Sequence, residues 1–223
     1  MKINIPPDRQ QNRIAFEFIE DRVFDSKKRK FLDVGSADNV LKPFLPKNIE
    51  YYSLDVSEEG GKHDFLVDLD KKRIPVKDGF FDIIICLEML EHTCYPEKVL
   101  KELRRVSKED AVFVFSLPNE YNFVQRLYYL FAIKRKTEKP WKVVEEHLHI
   151  QKPRIKDIIN LLSKDFKIHK IKYHWESRSS SESKFFAGID KFIDILARIY
   201  PNLFARDAVL MCTKREKNEY ARK

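Results

Sequence analysis

The 223-residue sequence predicts an α/β fold built on a parallel, doubly wound sheet. Three observations carry this. Short apolar runs recur through the first half of the chain, at Phe31, Leu32 and Val34, at Tyr51, Tyr52 and Leu54, and from Phe80 to Leu87, with helical periodicity between later ones. Such alternation demands crossover connections and therefore parallel pairing. The run Phe80-Phe81-Asp82-Ile83-Ile84-Ile85-Cys86-Leu87 is nearly continuous, as a central strand covered on both faces must be. Finally, Gly35 follows the first run directly, and Asp55 closes the second about twenty residues on, the arrangement of half a nucleotide-binding βαβ unit.

Taken in order, residues 8–25 follow Pro6-Pro7 and space Ile14, Phe18, Ile19, Val23 and Phe24 as an amphipathic helix, expected to pack on the sheet rather than cover a ligand. A strand over residues 30–34, a turn at Gly35, a short helix from about Asp38 and a strand over 51–55 come next. Residues 64–68 form a short third strand ending in Asp68-Leu69, and the strand at 80–87 leads into Glu88-Met89-Leu90-Glu91-His92. Val99, Leu100, Leu103 and Val106 mark the inner face of a helix over about 96–106, and residues 111–117 form a strand closed by Pro118-Asn119.

Residues 120–146 break the rhythm. Phe123, Leu127, Tyr128, Leu130 and Phe131 give a helix with an aromatic face, followed by Lys134-Arg135-Lys136 and Lys139-Pro140-Trp141. An insertion of this length beside strand tips reads as a lid over substrate, with a membrane-interface helix at about 121–136 and extra core as the alternatives. A helix over 154–164, a strand over 166–175, a Ser-rich connector at 177–183, a helix over 184–200 and a strand at 208–212 complete one domain spanning 1–223, with helical insertions at about 120–146 and 184–200.

Hydrophobic residues make up 43% of the chain, enough for a sizeable core. Cys86, Cys94 and Cys212 form no C-x-x-C pair, there is no apolar signal core at the N-terminus, and no run approaches a membrane span. The expected setting is cytoplasmic and reducing, without structural disulfides. The net charge of +8 is scattered rather than clustered, the pattern of a solvated surface. No recognised nucleic-acid module accompanies it, so nucleic acid is not the expected partner. No feature specifies an oligomeric state.

The turn discriminates among adenosine cofactors. A dinucleotide site uses Gly-x-Gly-x-x-Gly to bring backbone onto a pyrophosphate. Only Gly35 survives here, Ala37 and Val40 hold the later positions, and Asp38 places negative charge where the pyrophosphate would sit. S-adenosylmethionine carries no phosphate, and its ammonium and sulfonium suit a site containing Asp33 and Asp38. A nicotinamide-dependent oxidoreductase is disfavoured on the same grounds.

In this order and spacing, Leu32-Asp33-Val34-Gly35-Ser36, Tyr52-Ser53-Leu54-Asp55, Asp68-Leu69, the segment from Phe81 to His92, Leu100-Lys101-Glu102-Leu103-Arg104-Arg105-Val106 and Glu146-His147-Leu148-His149 resemble the class I S-adenosylmethionine-dependent methyltransferases, in particular the type 11 group, over roughly residues 30–165. The resemblance implies a Rossmann-like seven-stranded sheet of order 3-2-1-4-5-7-6 with the last strand antiparallel. It also implies cofactor contacts: Asp33 and Gly35 at the methionine part, Asp55 at the ribose, Asp68 and Leu69 at adenine, Leu87 and Glu88 beside the sulfonium, with Ser36, Ala37 and Val56 completing the cofactor-binding set. Two departures stand out. Ala37 replaces the second motif glycine, and Lys108-Glu109-Asp110 replaces the family's Pro-Gly-Gly turn.

Methyl transfer from a sulfonium requires alignment of the acceptor, exclusion of water and, for a hydroxyl, removal of a proton. His92, just past the fourth strand, is the first candidate base, followed by His147 and His149. Glu88-x-x-Glu91-His92 is similar to a segment associated with a divalent metal in ubiquinone-pathway O-methyltransferases. The same segment recurs where no metal is used and Glu91 caps or orients the loop, and no metal is assigned on sequence. The expected function is methyl transfer to a small-molecule or lipid- or glycan-linked acceptor, the alternative a non-catalytic interaction domain with a degenerate cofactor pocket.

Overall fold

A computed structural model describes residues 5, 9–58, 60–133, 142–143, 148–175 and 184–216. Seven strands form one sheet: β1 (Arg29–Val34), β2 (Ile49–Asp55), β3 (Phe65–Leu66), β4 (Phe81–Leu87), β5 (Ser107–Pro118), β6 (Phe166–His174) and β7 (Asp207–Lys214). Their order is β3-β2-β1-β4-β5-β7-β6, as the resemblance implied. The pairs β2·β3, β1·β2, β1·β4 and β4·β5 are parallel, and β7 runs antiparallel to both neighbours.

The helices are α1 (Gln10–Val23), α2 (Pro96–Val106), α3 (Phe123–Leu130), α4 (Ile155–Ser163), α5 (Lys184–Ile199) and α6 (Pro201–Phe204). Because strand side chains alternate, neighbouring strand residues enter different cores. Leu32, Ile84, Phe113 and Leu210 pack with Val99, Leu103, Ile158 and Leu162 from α2 and α4. Phe31, Ile83, Val112 and Val209 pack on the other face with Ile14, Phe16, Ile19 and Val23 of α1. With its apolar stripe committed to that core, α1 is a packing helix, as its spacing predicted.

Three expectations are corrected. No α-helix follows β1; the chain turns through residues 37–41 into a single 3₁₀ turn, Lys42–Phe44. Pro46 drives Leu45 to an extended ψ of 135°, and Ala37 and Asn39 are left-handed, so no helix can propagate there. Next, β3 shrinks to two residues, because the Asp64 carboxylate accepts from the Ser53 amide (2.8 Å) and hydroxyl (3.0 Å) where ladder pairing would continue. Last, β5 begins at Ser107 rather than 111. Phe81 pairs with Ser107 and Ile83 with Val112, so Lys108-Glu109-Asp110 bulge within the strand instead of forming a turn.

Asn122 caps α3 by accepting from the amides of Val124 and Gln125. The run Lys134-Arg135-Lys136, His147, the connector at 177–183 and the tail beyond Glu216 lie outside the described residues. No helix among the described residues is long and apolar enough to cross a membrane.

The sheet edge that carries the site is closed by Asn119. Its amide N–H donates to the Arg206 carbonyl (2.7 Å), and its side chain donates to the Ala205 carbonyl (2.9 Å) from a fully buried position. Asn119→Ala leaves that carbonyl unpaired out of water and is expected to cost about 2–3 kcal/mol, read as a lower urea midpoint at unchanged m-value.

Candidate functional site

The C-terminal tips of β1, β2, β4 and β5 meet at one edge, where an open α/β sheet binds its ligands. Gly35 (φ 71°) and Ser36 donate their amides to the Leu54 carbonyl at 2.8 and 3.2 Å, folding the turn back over β2. A Cβ on Gly35 would come within 2.9 Å of Met89 Cγ, so glycine is required by conformation and by contact. Asp55, ending β2, accepts from the Ala37 amide (3.0 Å) and from the Val56 amide (2.7 Å). Ser36 Oγ lies 2.9 Å from His63 Nδ1, and Asp38 pairs with Arg9 at 2.8 Å.

Asp33 is buried at the tip of β1 and accepts a 2.8 Å hydrogen bond from the Tyr51 hydroxyl. Burial pushes its carboxyl up to about 6; the Tyr51 bond opposes this, and the nearby Asp55 and Asp38 charges add to it. Asp33, Gly35, Ser36, Ala37 and Asp55 are thus brought together, with Val56 half exposed beside them. Asp68 is partly buried, accepts from the Asp70 amide (3.0 Å) and pairs with Lys71 (2.8 Å). Leu69 is not part of that group; it is 5% exposed and packs in the core with Val67 and Ile74.

Leu87 ends β4, and Glu88 beyond it is left-handed (φ 50°). Its amide donates to the Ser116 carbonyl, and its carboxyl accepts from Ser116 Oγ at 2.7 Å. Burial, together with the Asp207 and Glu91 charges, raises the Glu88 carboxyl well above the usual carboxylate range. The 3₁₀ turn Leu90–His92 follows. Its Glu91 is fully buried, and neither carboxylate oxygen has a hydrogen-bond partner. The expected capping role is therefore not met by the side chain. The Glu91 main-chain carbonyl holds the loop instead, accepting from the amides of Ile150 and Gln151 at 2.8 Å each.

That stitch carries His149 onto His92, edge to face at 4.8 Å between ring centroids. His149 Nδ1 lies 2.6 Å from Oε1 of Glu120, which is 3% exposed and is itself fixed through its amide to the Pro153 carbonyl (3.0 Å). One potential ligand atom each from Glu91, His92 and His149 falls within 4.8 Å of the others. The contiguous trio Glu88, Glu91 and His92 does not assemble in this way, because Glu88 is turned to Ser116.

Sequence reasoning missed Tyr51, Ser116 and Glu120. Glu120 was within reach, since it follows Pro118-Asn119 at a strand tip; its pairing with a residue 29 positions away was not. On the far side of the 3₁₀ turn a cavity of about 860 Å³ opens between the start of α2 and α4, lined by Leu90, Tyr95, Leu117, Gln151, Pro153 and Ile158.

A family model described as "Methyltransferase domain" matches residues 8–166. Among curated proteins, the chain is 27% identical over 131 residues to a ubiquinone biosynthesis O-methyltransferase of Histophilus somni, covering 51% of this chain and 55% of that protein. It is 26% identical over 156 residues to that of Vibrio atlanticus, covering 64% of each. The chain thus spans between half and two thirds of the length of these relatives. Among solved structures, an S-adenosylmethionine-dependent methyltransferase from Mesorhizobium loti superposes with a TM-score of 0.59 at 11% identity, over 92% of this chain and 100% of that one. One from Aquifex aeolicus gives 0.52 at 14%, over 93% of each. These likenesses show the fold; the family match covers most of the chain. The chain belongs to the methyltransferase-domain family, and its sheet has the strand order of the class I members.

Proposed function

We propose that this chain transfers the methyl group of S-adenosylmethionine to an oxygen of a small-molecule acceptor. The observation that carries the reading is the convergence of Asp33, the Gly35–Ala37 turn and Asp55 at neighbouring strand tips. Asp55 meets the ribose hydroxyls, Asp33 faces the cationic methionine end, Val56 offers an apolar face to adenine, and Asp68 stands at the next strand tip. The acceptor oxygen attacks the methyl carbon in line, the carbon–sulfur bond breaks, and neutral S-adenosylhomocysteine leaves. The proton from the acceptor hydroxyl goes to the imidazole pair His92 and His149, the latter oriented by Glu120; His147 adjoins them in sequence. The names of the curated relatives specify O-methylation in ubiquinone biosynthesis, which supports an oxygen acceptor.

The finer reading is an amphiphilic or lipid-linked acceptor presented at a membrane surface. Helix α3 supports it, ending in Leu130 at 74% and Phe131 at 66% exposure, with no acidic residue from Tyr121 to Ile133. In this reading α3 serves as the lid, and three unpaired cysteines suit a reducing, cytoplasmic setting. The alternative of a decayed pocket has its own support: Met89 lies over Gly35, and main-chain amides already occupy Asp55.

Calorimetry decides between them. The enzyme reading expects micromolar S-adenosylmethionine binding that Asp55→Ala abolishes without loss of fold; absence of heat from the parent chain supports the decayed pocket.

Asp33 gives a pH test. Its folded value of about 6 stands above the ordinary 3.8, so between these values the folded state holds a proton the unfolded state has lost. Stability contributed by this group is present at low pH, falls as pH rises through 6, and stays reduced by about 3 kcal/mol above it. Asp33→Asn is therefore expected to raise the melting temperature of the ligand-free protein at pH 8 while eliminating cofactor binding. In the parent chain, affinity should weaken below about pH 6.

For α3, Leu130→Asp with Phe131→Asp is expected to reduce co-sedimentation with anionic vesicles and leave cofactor affinity unchanged. Equal sedimentation of parent and variant removes the membrane reading.

A further inference from the structure

We propose that the cavity between the starts of α2 and α4 is a second ligand site, one that takes a single-chain apolar molecule ending in a carboxylate. It lies apart from the cofactor edge. None of Asp33, Ala37 or Asp55 lines it, and of the 3₁₀ turn Leu90–His92 it is Leu90 that reaches it.

Size and polarity restrict the occupant first. The volume of about 860 Å³ falls within the roughly 300–1,000 Å³ typical of small-molecule sites. Leu90, Leu117 and Ile158, each at most 2% exposed, stand deepest, and the partly exposed Pro96, Pro153 and Leu161 form the walls. The interior therefore rewards apolar contact.

Charge then selects the head group. Lys98, Lys101 and Lys152 line the cavity together with Glu97 and Asp157. Both acids are matched from outside the lining, Glu97 by Lys164 at 2.6 Å and Asp157 by Arg154 at 2.8 Å. Asp70, also outside the lining, turns its carboxylate onto the amides of Cys94 (2.7 Å) and Tyr95 (2.9 Å) and gives Lys98 only its main-chain carbonyl. The rim is thus left with an excess of positive charge, which attracts an anion to the mouth of an apolar pocket. Lys101, exposed on α2, can lay its stem along the wall and set its ammonium on that anion. A carboxylate suits this rim better than a dianionic phosphate, which Glu97 and Asp157 would oppose more strongly.

Cys94 supplies a local reporter, because it lines the cavity and is exposed while Cys86 and Cys212 are buried. The test is the rate of Cys94 alkylation in the full chain at alkaline pH, with dodecanoate below its micelle-forming concentration. Dodecyltrimethylammonium and dodecyl phosphate serve as controls of other charge. Dodecanoate is expected to slow alkylation severalfold, dodecyl phosphate to act more weakly and the ammonium to have no effect. Lys101→Glu should raise the dodecanoate concentration required by about tenfold. Leu161→Trp, which fills the cavity from a partly exposed position, should remove the protection; the exposed Lys101→Glu keeps the test open should the tryptophan variant fail to fold. No slowing in the parent chain, slowing by either control as strong as by dodecanoate, or protection that survives both substitutions overturns the proposal. Protection seen with anionic vesicles alone overturns it too, since that traces the effect to a membrane contact. No S-adenosylmethionine is present in the assay, so its failure and that of the methyl-transfer reading are separate results.

Discussion

Desolvation of carboxylates at one edge of the sheet is the constraint on which the rest of this structure depends. With helices on both faces, the strand tips are where chemistry meets solvent, and the chain lines them with Asp33, Glu91, Glu120 and Asp207, each at most 7% exposed. It does so although lysines and arginines outnumber acids 43 to 35. Burial is the leading cause that raises the proton affinities of Asp33, Glu88, Glu91 and Asp207 together. An edge of this kind is most stable when something cationic enters it. Under the proposed function, the sulfonium and ammonium of the cofactor would meet that demand at Asp33.

The two outer strands and the N-terminal helix serve the same edge. Antiparallel pairing places His174 opposite Asp207, 3.6 Å apart and both about 2% exposed. Burial holds the His174 imidazole below its ordinary value, while Asp207 opposes that shift. Gln11 of α1 donates to Asp207 at 3.1 Å, so the helix that packs the second core also contributes a polar contact behind the site. The insertion of β7 between β5 and β6 is thus more than a topological signature: it supplies the acid that faces Glu88 and Glu120 across the strand tips.

How much of this was legible follows from how local each signal is. The central strand β4 could be read because burial on both faces writes an unbroken apolar run. Asp55 could be read because its distance from Gly35 is fixed by one βαβ half, even though no helix formed between them. The missing helix was a failure of weighting: Pro43 and Pro46 were visible, and a turn followed by apolar residues was still read as helical. Leu69, which the resemblance places at adenine, lies buried with Val67 and Ile74 after a two-residue strand. The closeness of Glu120, His149, His92 and Glu91 was not legible, since it arises from main-chain bonds between segments far apart in sequence, and no periodicity reports such bonds.

Ala37 is where sequence and structure bear most directly on whether the pocket still works. The loss of the second motif glycine reads, on sequence, as decay. In the fold Ala37 nevertheless adopts the left-handed conformation (φ 42°) that the glycine would take freely, at a cost of roughly 1–2 kcal/mol. That conformation persists because its surroundings over-determine it. Asp55 Oδ2 accepts the Ala37 amide at 3.0 Å, and Gly60 packs so closely that a Cβ there would meet the Ala37 carbonyl at 2.8 Å. The turn is thus held against an unfavourable side chain by the carboxylate that ends β2. Alanine at this position therefore strains the loop, and the Asp55 bond with the close packing of Gly60 offsets that strain.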